Sequence, residues 1–218
     1  MSTRKHTLPL TTWSSNSLWK AGPKPIMVLC ISLLIFGIGE GLLVLSSLGS
    51  TPWTVLAQGI AFKLDKNVGI VSFFISVAVM LTWIPFHQKP GLGTILNIAL
   101  IALGLGLTTY FLPAPNNLTL RVLLTISGIL FIGISSGFYL TCHMGSGPRD
   151  GLMVGLYQAT GWKIGLIRSL IEGTVCFIGW LLGGVVGLGT LCFALGVGWV
   201  LQNTLNFLAK NYTSRTTH

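Results

Sequence analysis

Six apolar runs, each long enough to cross a bilayer, leave this chain few folds to choose from. They extend from Ile26 to Leu48, Val68 to Phe86, Thr94 to Leu112, Val122 to Cys142, Ile164 to Leu182 and Thr190 to Leu208. A hydrocarbon core about 30 Å thick takes roughly 20 helical residues to span. Inside it every backbone N–H and C=O must find a partner, so only helices and closed barrels cross. A membrane barrel is built from alternating segments of about ten residues, whereas these runs are apolar on every face. Of the residues, 51% are hydrophobic and 8% charged, and the mean hydropathy is +0.78, which excludes an ordinary soluble domain. The expected fold is all-α and membrane-spanning. A six-span domain covers residues 25–208, between a basic segment over 1–24 and a short tail over 209–218. The polar lead from Met1 to Lys24 and the full length of the first run argue for a retained helix rather than a cleaved signal.

The net charge of +9 would suggest nucleic acid in a soluble protein. In a membrane protein it follows from the accumulation of Lys and Arg in cytoplasmic segments, so no nucleic-acid partner is expected. With the N-terminus inside, Arg4, Lys5, Lys20, Lys24, Lys89, Arg149, Lys163, Lys210 and Arg215 fall at cytoplasmic positions, and Lys63, Lys66 and Arg121 outside. Arg168 lies within the fifth span. Six crossings with both termini cytoplasmic fit this distribution, and the bilayer itself is the expected partner.

Cys30, Cys142, Cys176 and Cys192 sit in or at the ends of apolar runs, with no CxxC or Cys/His spacing suited to a metal. They are expected to be buried small hydrophobes; neither a metal nor a cofactor is expected. Cys142 beside His143 is the one pairing with any ligand character. Asn117-Leu-Thr119 forms a sequon in an expected outside loop.

Displacing the chain by 96 residues places 34–108 on 130–204 without a gap, and eighteen positions are identical. A composition this rich in Leu and Gly yields about six matches by chance. The excess is mostly Gly and Pro, and the tetrapeptide GLGT recurs whole, as Gly91, Leu92, Gly93, Thr94 and as Gly187, Leu188, Gly189, Thr190. Repeat 1 covers about 26–112 and repeat 2 about 122–208. Each holds three spans, an odd number, so the second half is expected to cross in the opposite sense. Inverted repeats of this kind commonly bind a substrate or ion between the halves and expose it alternately to each side.

Three local signals recur in both copies. Gly37 with Gly41, and Gly133 with Gly137, place two glycines on one helix face for close helix packing. LGSTPW and MGSGPR, carrying Ser50, Pro52, Ser146 and Pro148, each begin a segment too short to cross; proline after a small residue marks a helix start. In the first of these segments Trp53, Leu56, Ala57, Ile60, Ala61 and Leu64 form an apolar face opposite Thr54, Gln58 and Lys63, which favours a helix lying in the interface. The alternative is a re-entrant helix aiming its N-terminal N–H groups at an anionic ligand, with Arg149 reinforcing the charge and Asp150 subtracting from it. GLGT is expected to be a tight turn whose Thr caps the next span; it lacks the lysine and preceding strand of a phosphate loop.

Where the copies differ, ionisable residues appear inside spans. Glu40 faces Ser136, Arg168 faces Ser72 and Glu172 faces Ser76. Such residues are costly in hydrocarbon and mark function by default. Arg168 and Glu172 are four apart and can pair on one helix face. Glu40 is expected either to pair with Arg168 across the repeats or to act as a proton-carrying carboxylate.

The stretches GLLVLSSLGSTPWTVL, GSGPRDGLM and LLGGVVGLGT, in that order, resemble the bacterial YczE/YitT-like integral membrane proteins over nearly all of the chain from first span to last. That resemblance implies a multi-pass protein of the bacterial cytoplasmic membrane and supplies no activity. YitT-like relatives typically add a soluble C-terminal domain, whereas this sequence stops shortly after its last span. No His/Asp/Ser constellation or metal-ligand set lies in the spans, so no catalytic residues are assigned and an enzyme is not expected. The expectation is a small secondary transporter, or a substrate-binding transporter subunit, acting on a small molecule or ion at a site near Glu40, Arg168, Glu172 and the Gly-Ser-x-Pro turns. The alternatives are a channel and a non-transporting scaffold; homo-oligomerisation is left open.

Overall fold

Proline and small polar residues set where the helices begin. In a computed structural model, which describes residues 8–212, α1 runs Pro23–Ser46, α2 Pro52–Leu64, α3 Val68–Leu81, α4 Leu92–Phe111, α5 Leu118–Leu140, α6 Pro148–Thr160, α7 Ile164–Leu181 and α8 Leu188–Tyr212. No β-strand occurs among the described residues. Arg4, Lys5 and Arg215 of the charge argument lie outside them. Prolines open α1, α2 and α6, where the missing N–H costs nothing because the first turn has no intrahelical acceptor. Thr51 caps α2 by accepting from the Thr54 N–H, and Asn67 and Asn117 cap α3 and α5 by accepting from Gly69 and Thr119. The Asn of the sequon thus serves as a helix cap. A short 3-10 turn, Ile84–Phe86, extends α3 to the length of a span.

Six helices, α1, α3 with its 3-10 extension, α4, α5, α7 and α8, are long and apolar enough to cross a membrane, as the runs predict. Their ends shift by a few residues. The helix after GLGT starts at Leu92 and Leu188 rather than at the Thr, and α8 passes Leu208 to Tyr212, carrying the start of the expected tail into the helix.

α1 and α5 cross at the centre; α4 packs on α1 and α8 on α5. The paired glycines lie at these seams. A Cβ on Gly41 would fall 2.5 Å from Thr108 Cβ of α4, and one on Gly137 would fall 2.6 Å from Thr204 Cγ2 of α8. Gly37 likewise abuts Ile101 and Gly104, and Gly133 abuts Val200. Without a side chain at these points the backbones approach closely enough for dispersion to hold them, which is what drives helix association in lipid.

The short helices cross between halves. α2 packs on α7, and α6 on α3. Val55 and Gly59 of α2 lie against Gly179 of α7, while Gly151 and Gly155 of α6 lie against Trp83 and Phe86. The GLGT turns do the same. The Gly93 N–H donates to the Met144 carbonyl at 2.8 Å, and the Gly189 N–H donates to the Leu48 carbonyl at 2.7 Å; each bond joins one copy of GLGT to the Gly-Ser-x-Pro turn of the other copy. Gly49 (φ 122°) and Gly145 (φ 113°) hold these turns in a backbone region that side chains strain. Thr94 stands at the third position of α4, accepts from the Gly91 N–H at 3.1 Å and donates to the Ser146 carbonyl at 2.8 Å. It thus makes the return bond of a capping box at the start of α4, as expected, and also fastens two turns together, whereas its counterpart Thr190 has a buried hydroxyl with no partner.

One seam is unequal to its counterpart. α3 packs firmly on α4, with Gly69 against Gly106, but α7 makes at most marginal contact with α8, and nothing lies within 4 Å of a Cβ built on Gly165 or Gly198. A second unequal feature is the segment before α1. Trp13 is buried, stacks on Phe138 and donates to Thr141 Oγ1 at 3.0 Å, while the Leu18 carbonyl accepts from the Leu92 N–H and the Thr12 N–H donates to the Tyr212 carbonyl. This strap ties the start of α4 to the ends of α5 and α8. The polar composition of residues 8–22 gave no hint of it.

Candidate functional site

The N-terminal ends of α2 and α6 meet beside α1. Pro52 and Trp53 of α2 and Pro148, Arg149 and Asp150 of α6 line one cavity of about 210 Å³ together with Glu40 of α1. Thr51 of the turn before α2, Ser76 of α3, Asn97 of α4, Ser136 and Tyr139 of α5 and the α7 pair Arg168 and Glu172 complete its polar wall; Phe36, Ile132 and Phe193 are among its apolar residues. Seven of the nine residues expected at a substrate site are therefore brought together. Ser50 and Ser146 are not. Ser50 turns away to donate to Gln58 Oε1 at 3.1 Å, and Ser146 contributes its carbonyl to the Thr94 bond.

Glu40 is fully buried, and its partner is Arg149, with Nη1 to Oε1 at 3.1 Å. The expected pairing with Arg168 is not formed. Arg168 instead turns along its own helix to Glu172, Nε to Oε1 at 2.9 Å, as their i,i+4 spacing allows. Arg149 holds its guanidinium 5.5 Å from the centre of the Trp53 ring, a cation–π contact. Thr51 Oγ1 reaches the same Glu40 oxygen at 3.4 Å. The second oxygen, Oε2, is buried with no hydrogen-bond partner. A buried carboxylate oxygen left in this way is costly and calls for an account.

Asp150 sits one residue along. Tyr139 donates to its Oδ2 at 3.2 Å. Burial lifts the Asp150 carboxyl above its ordinary range, opposed by the Tyr139 hydrogen bond and by the nearby Arg168 and Arg149 charges. Arg149, Asp150, Arg168 and Glu172 also border a recess of about 20 Å³ beside Trp53, so the four charges form one cluster. Sequence reasoning did not find Thr51, Trp53, Asn97, Ser136 or Tyr139. Thr51 and Trp53 flank a proline already singled out, and Ser136 is the aligned counterpart of Glu40; Asn97 and Tyr139 carry no local signal.

Thr54, expected on a polar outer face of α2, is fully buried, while Leu64, assigned to the apolar face, is 60% exposed. α2 packs against α7 and α3, which buries Thr54 along with Trp53, Val55, Ala57 and Ala61. Of the cysteines expected to be buried, only Cys142 is; Cys30 and Cys176 are half-buried and Cys192 is exposed on α8, and none lines the cavity. Burial pushes the Cys142 thiol up to about 12, and His143 Nε2 lies 3.4 Å from the Pro9 carbonyl. Among the described residues no group of three or more His, Cys, Asp or Glu could hold a metal ion.

Six apolar helices around a charged cavity define a polytopic helical membrane protein. The chain belongs to DUF6198, a family of unknown function, whose match covers residues 23–205. It is 51% identical over 210 residues to an uncharacterised protein of Haemophilus influenzae, covering 96% of each chain. It is 30% identical over 177 residues to the uncharacterised membrane protein YczE of Bacillus subtilis, covering 79% of this chain and 80% of that one. A further Bacillus subtilis protein, YyaS, is 24% identical over 189 residues, covering 85% and 94% of the two chains. No solved structure matches.

Proposed function

We propose that this protein is a small secondary transporter, or the substrate-binding subunit of one, in a bacterial cytoplasmic membrane with both termini cytoplasmic. Its two halves are inverted repeats, α1 to α4 and α5 to α8, and α2 and α6 are re-entrant helices whose N-termini meet at mid-depth. Support for the repeats comes from bonds that exchange between halves: Gly93 to Met144 and Gly189 to Leu48 are related by a displacement of 96 at each end. The Arg149–Trp53 contact joins two positions that are themselves aligned, as happens where a twofold axis passes. Support for re-entry comes from depth. Val55 and Gly59 lie against Gly179, near the end of α7, while Trp53 shares the small recess with Ile171, in the middle of that helix.

The observation that carries the transport reading is the pair of unequal seams flanking one charged cavity. The seam between α3 and α4 is shut, and its counterpart between α7 and α8 is open. Exchanging the two arrangements would expose the cavity through the opposite half, which is how inverted repeats achieve alternating access. Gly165 and Gln202 are the aligned counterparts of the touching Gly69 and Gly106. Cysteines placed at Gly165 and Gln202, in a protein otherwise free of cysteine, are expected to cross-link in native membranes when the open seam closes. Absence of that cross-link with reagents of every length would indicate a permanently open seam and favour a scaffold.

A further inference from the structure

The cavity holds two features that point to different halves of one ligand. The first is negative: Glu40, a residue of the cavity wall, is fully buried, its Oε1 is taken by Arg149, and its Oε2 is buried with no partner. An oxygen in that position accepts from an N–H or O–H donor. The second is positive: α6 begins at the cavity with no side-chain cap on its first turn. Its leading N–H groups, at Arg149 and Asp150, have no intrahelical acceptor, and the helix dipole adds to the Arg149 guanidinium beside them. The Arg149 guanidinium, carried by the first turn of α6, stands 3.1 Å from Glu40 Oε1.

Charge balance narrows the ligand further. Glu40 is matched by Arg149 and Arg168 by Glu172; the fifth group, Asp150, accepts from Tyr139, and burial disfavours its charged form. A ligand with a net charge would add an uncompensated ion to a site within the membrane domain, which is expensive. A ligand carrying both signs on neighbouring atoms would instead lie antiparallel to the Glu40–Arg149 pair, its ammonium at Oε2 and its anionic group at Arg149 and the start of α6. The volume of about 210 Å³ suits a molecule of amino-acid size, and Phe36, Ile132 and Phe193 offer its side chain an apolar wall.

Resting on the transporter reading for its site, we infer that the cavity takes a small net-neutral zwitterion with adjacent charges, of the α-amino-acid kind. Binding is separable from transport and can be measured first. Full-length protein purified in detergent would be titrated with each proteinogenic L-amino acid, and binding read from the shift in unfolding temperature and by calorimetry. At least one is expected to bind. Its methyl ester and its N-acetyl derivative, which each lose one charge, are expected to bind about tenfold more weakly or not at all, as is 6-aminohexanoate, whose charges are far apart. Glu40→Gln is expected to weaken the amino acid about tenfold and to leave the N-acetyl derivative unaffected. If no amino acid binds, or if the ester and N-acetyl forms bind as tightly as the parent, the proposal is overturned; these comparisons use the unaltered protein and stand even if Glu40→Gln does not fold. Uptake of the same radiolabelled amino acid into proteoliposomes then separates the two ideas. Binding without uptake keeps the zwitterion site and removes the transporter. Saturable flux of acetate or a monovalent cation, with no amino acid bound, keeps the transporter and removes the zwitterion.

Discussion

Removing Arg149 should cost far more than removing its partner. Glu40 has no exposure at all, and Arg149 is its one counter-ion, at 3.1 Å; the Arg149 side chain is 25% exposed. At an effective dielectric constant near 20 their attraction is about 5 kcal/mol, and the partial exposure of Arg149 lowers the useful part to roughly 3 kcal/mol. Arg149→Gln leaves a fully buried carboxylate without compensation, so a loss of about 3 kcal/mol or more is expected. Glu40→Gln leaves a guanidinium that keeps some water and the face of Trp53, and about 1 to 2 kcal/mol is expected. The double variant, with neither charge, should be less damaged than Arg149→Gln alone, giving a coupling energy of about 2 to 3 kcal/mol. The assay is reversible unfolding of the purified protein in mixed micelles, run as a double-mutant cycle. Additive losses, with coupling below about 0.5 kcal/mol, would refute the electrostatic argument.

Three further outcomes are expected. Gly41→Ala places its methyl 2.5 Å from Thr108 Cβ and should cost about 1 to 3 kcal/mol of overpacking, whereas Gly173→Ala, with nothing within 4 Å, should be neutral or stabilising by up to about 1 kcal/mol; unfolding midpoints in the same micelles compare them. Because Asp150 has a folded pKa above its ordinary value of 3.8, its contribution to stability is present at low pH and is lost as pH rises from that value through the raised one. Asp150→Asn should therefore flatten the fall in unfolding temperature over that range, and an unchanged slope would assign it elsewhere. Single cysteines at Leu92 and Leu188 in a cysteine-free chain test orientation directly: a membrane-impermeant thiol reagent applied to intact cells should label Leu188→Cys alone, and equal labelling of both would contradict inversion.

The spans were legible because hydrophobic length is a local property: α1, α3, α4, α5, α7 and α8 all fall within a few residues of the six apolar runs. Starts at Pro52 and Pro148 were legible for the same reason, since proline acts on its own turn. The partner of Glu40 was not, because Arg149 lies 109 residues away and nothing in either neighbourhood distinguishes it from Arg168. Thr54 was misplaced for a related cause. It is fully buried with its hydroxyl on Thr51 in a helix that packs on α7 and α3, and an amphipathic pattern read along α2 alone cannot see those neighbours. Trp13 was passed over because a single aromatic in a Ser/Thr-rich lead has no periodicity to detect, and its partner Thr141 lies in the other half of the sequence.

The cross-fastening of the two halves has a consequence for how the chain is made. When the first half leaves the ribosome, Glu40 has no arginine, α2 has no α7 to lean on, and the Leu48 carbonyl waits for an N–H at Gly189 that has yet to be synthesised. Neither half is a domain that can finish folding first, as separate domains commonly do during synthesis. Insertion must therefore deliver an unfinished three-span piece and hold it until the second is threaded in. Contacts this distant in sequence make the final docking the slow event. It is at that stage, more than in the mature protein, that a quality-control protease would find its openings.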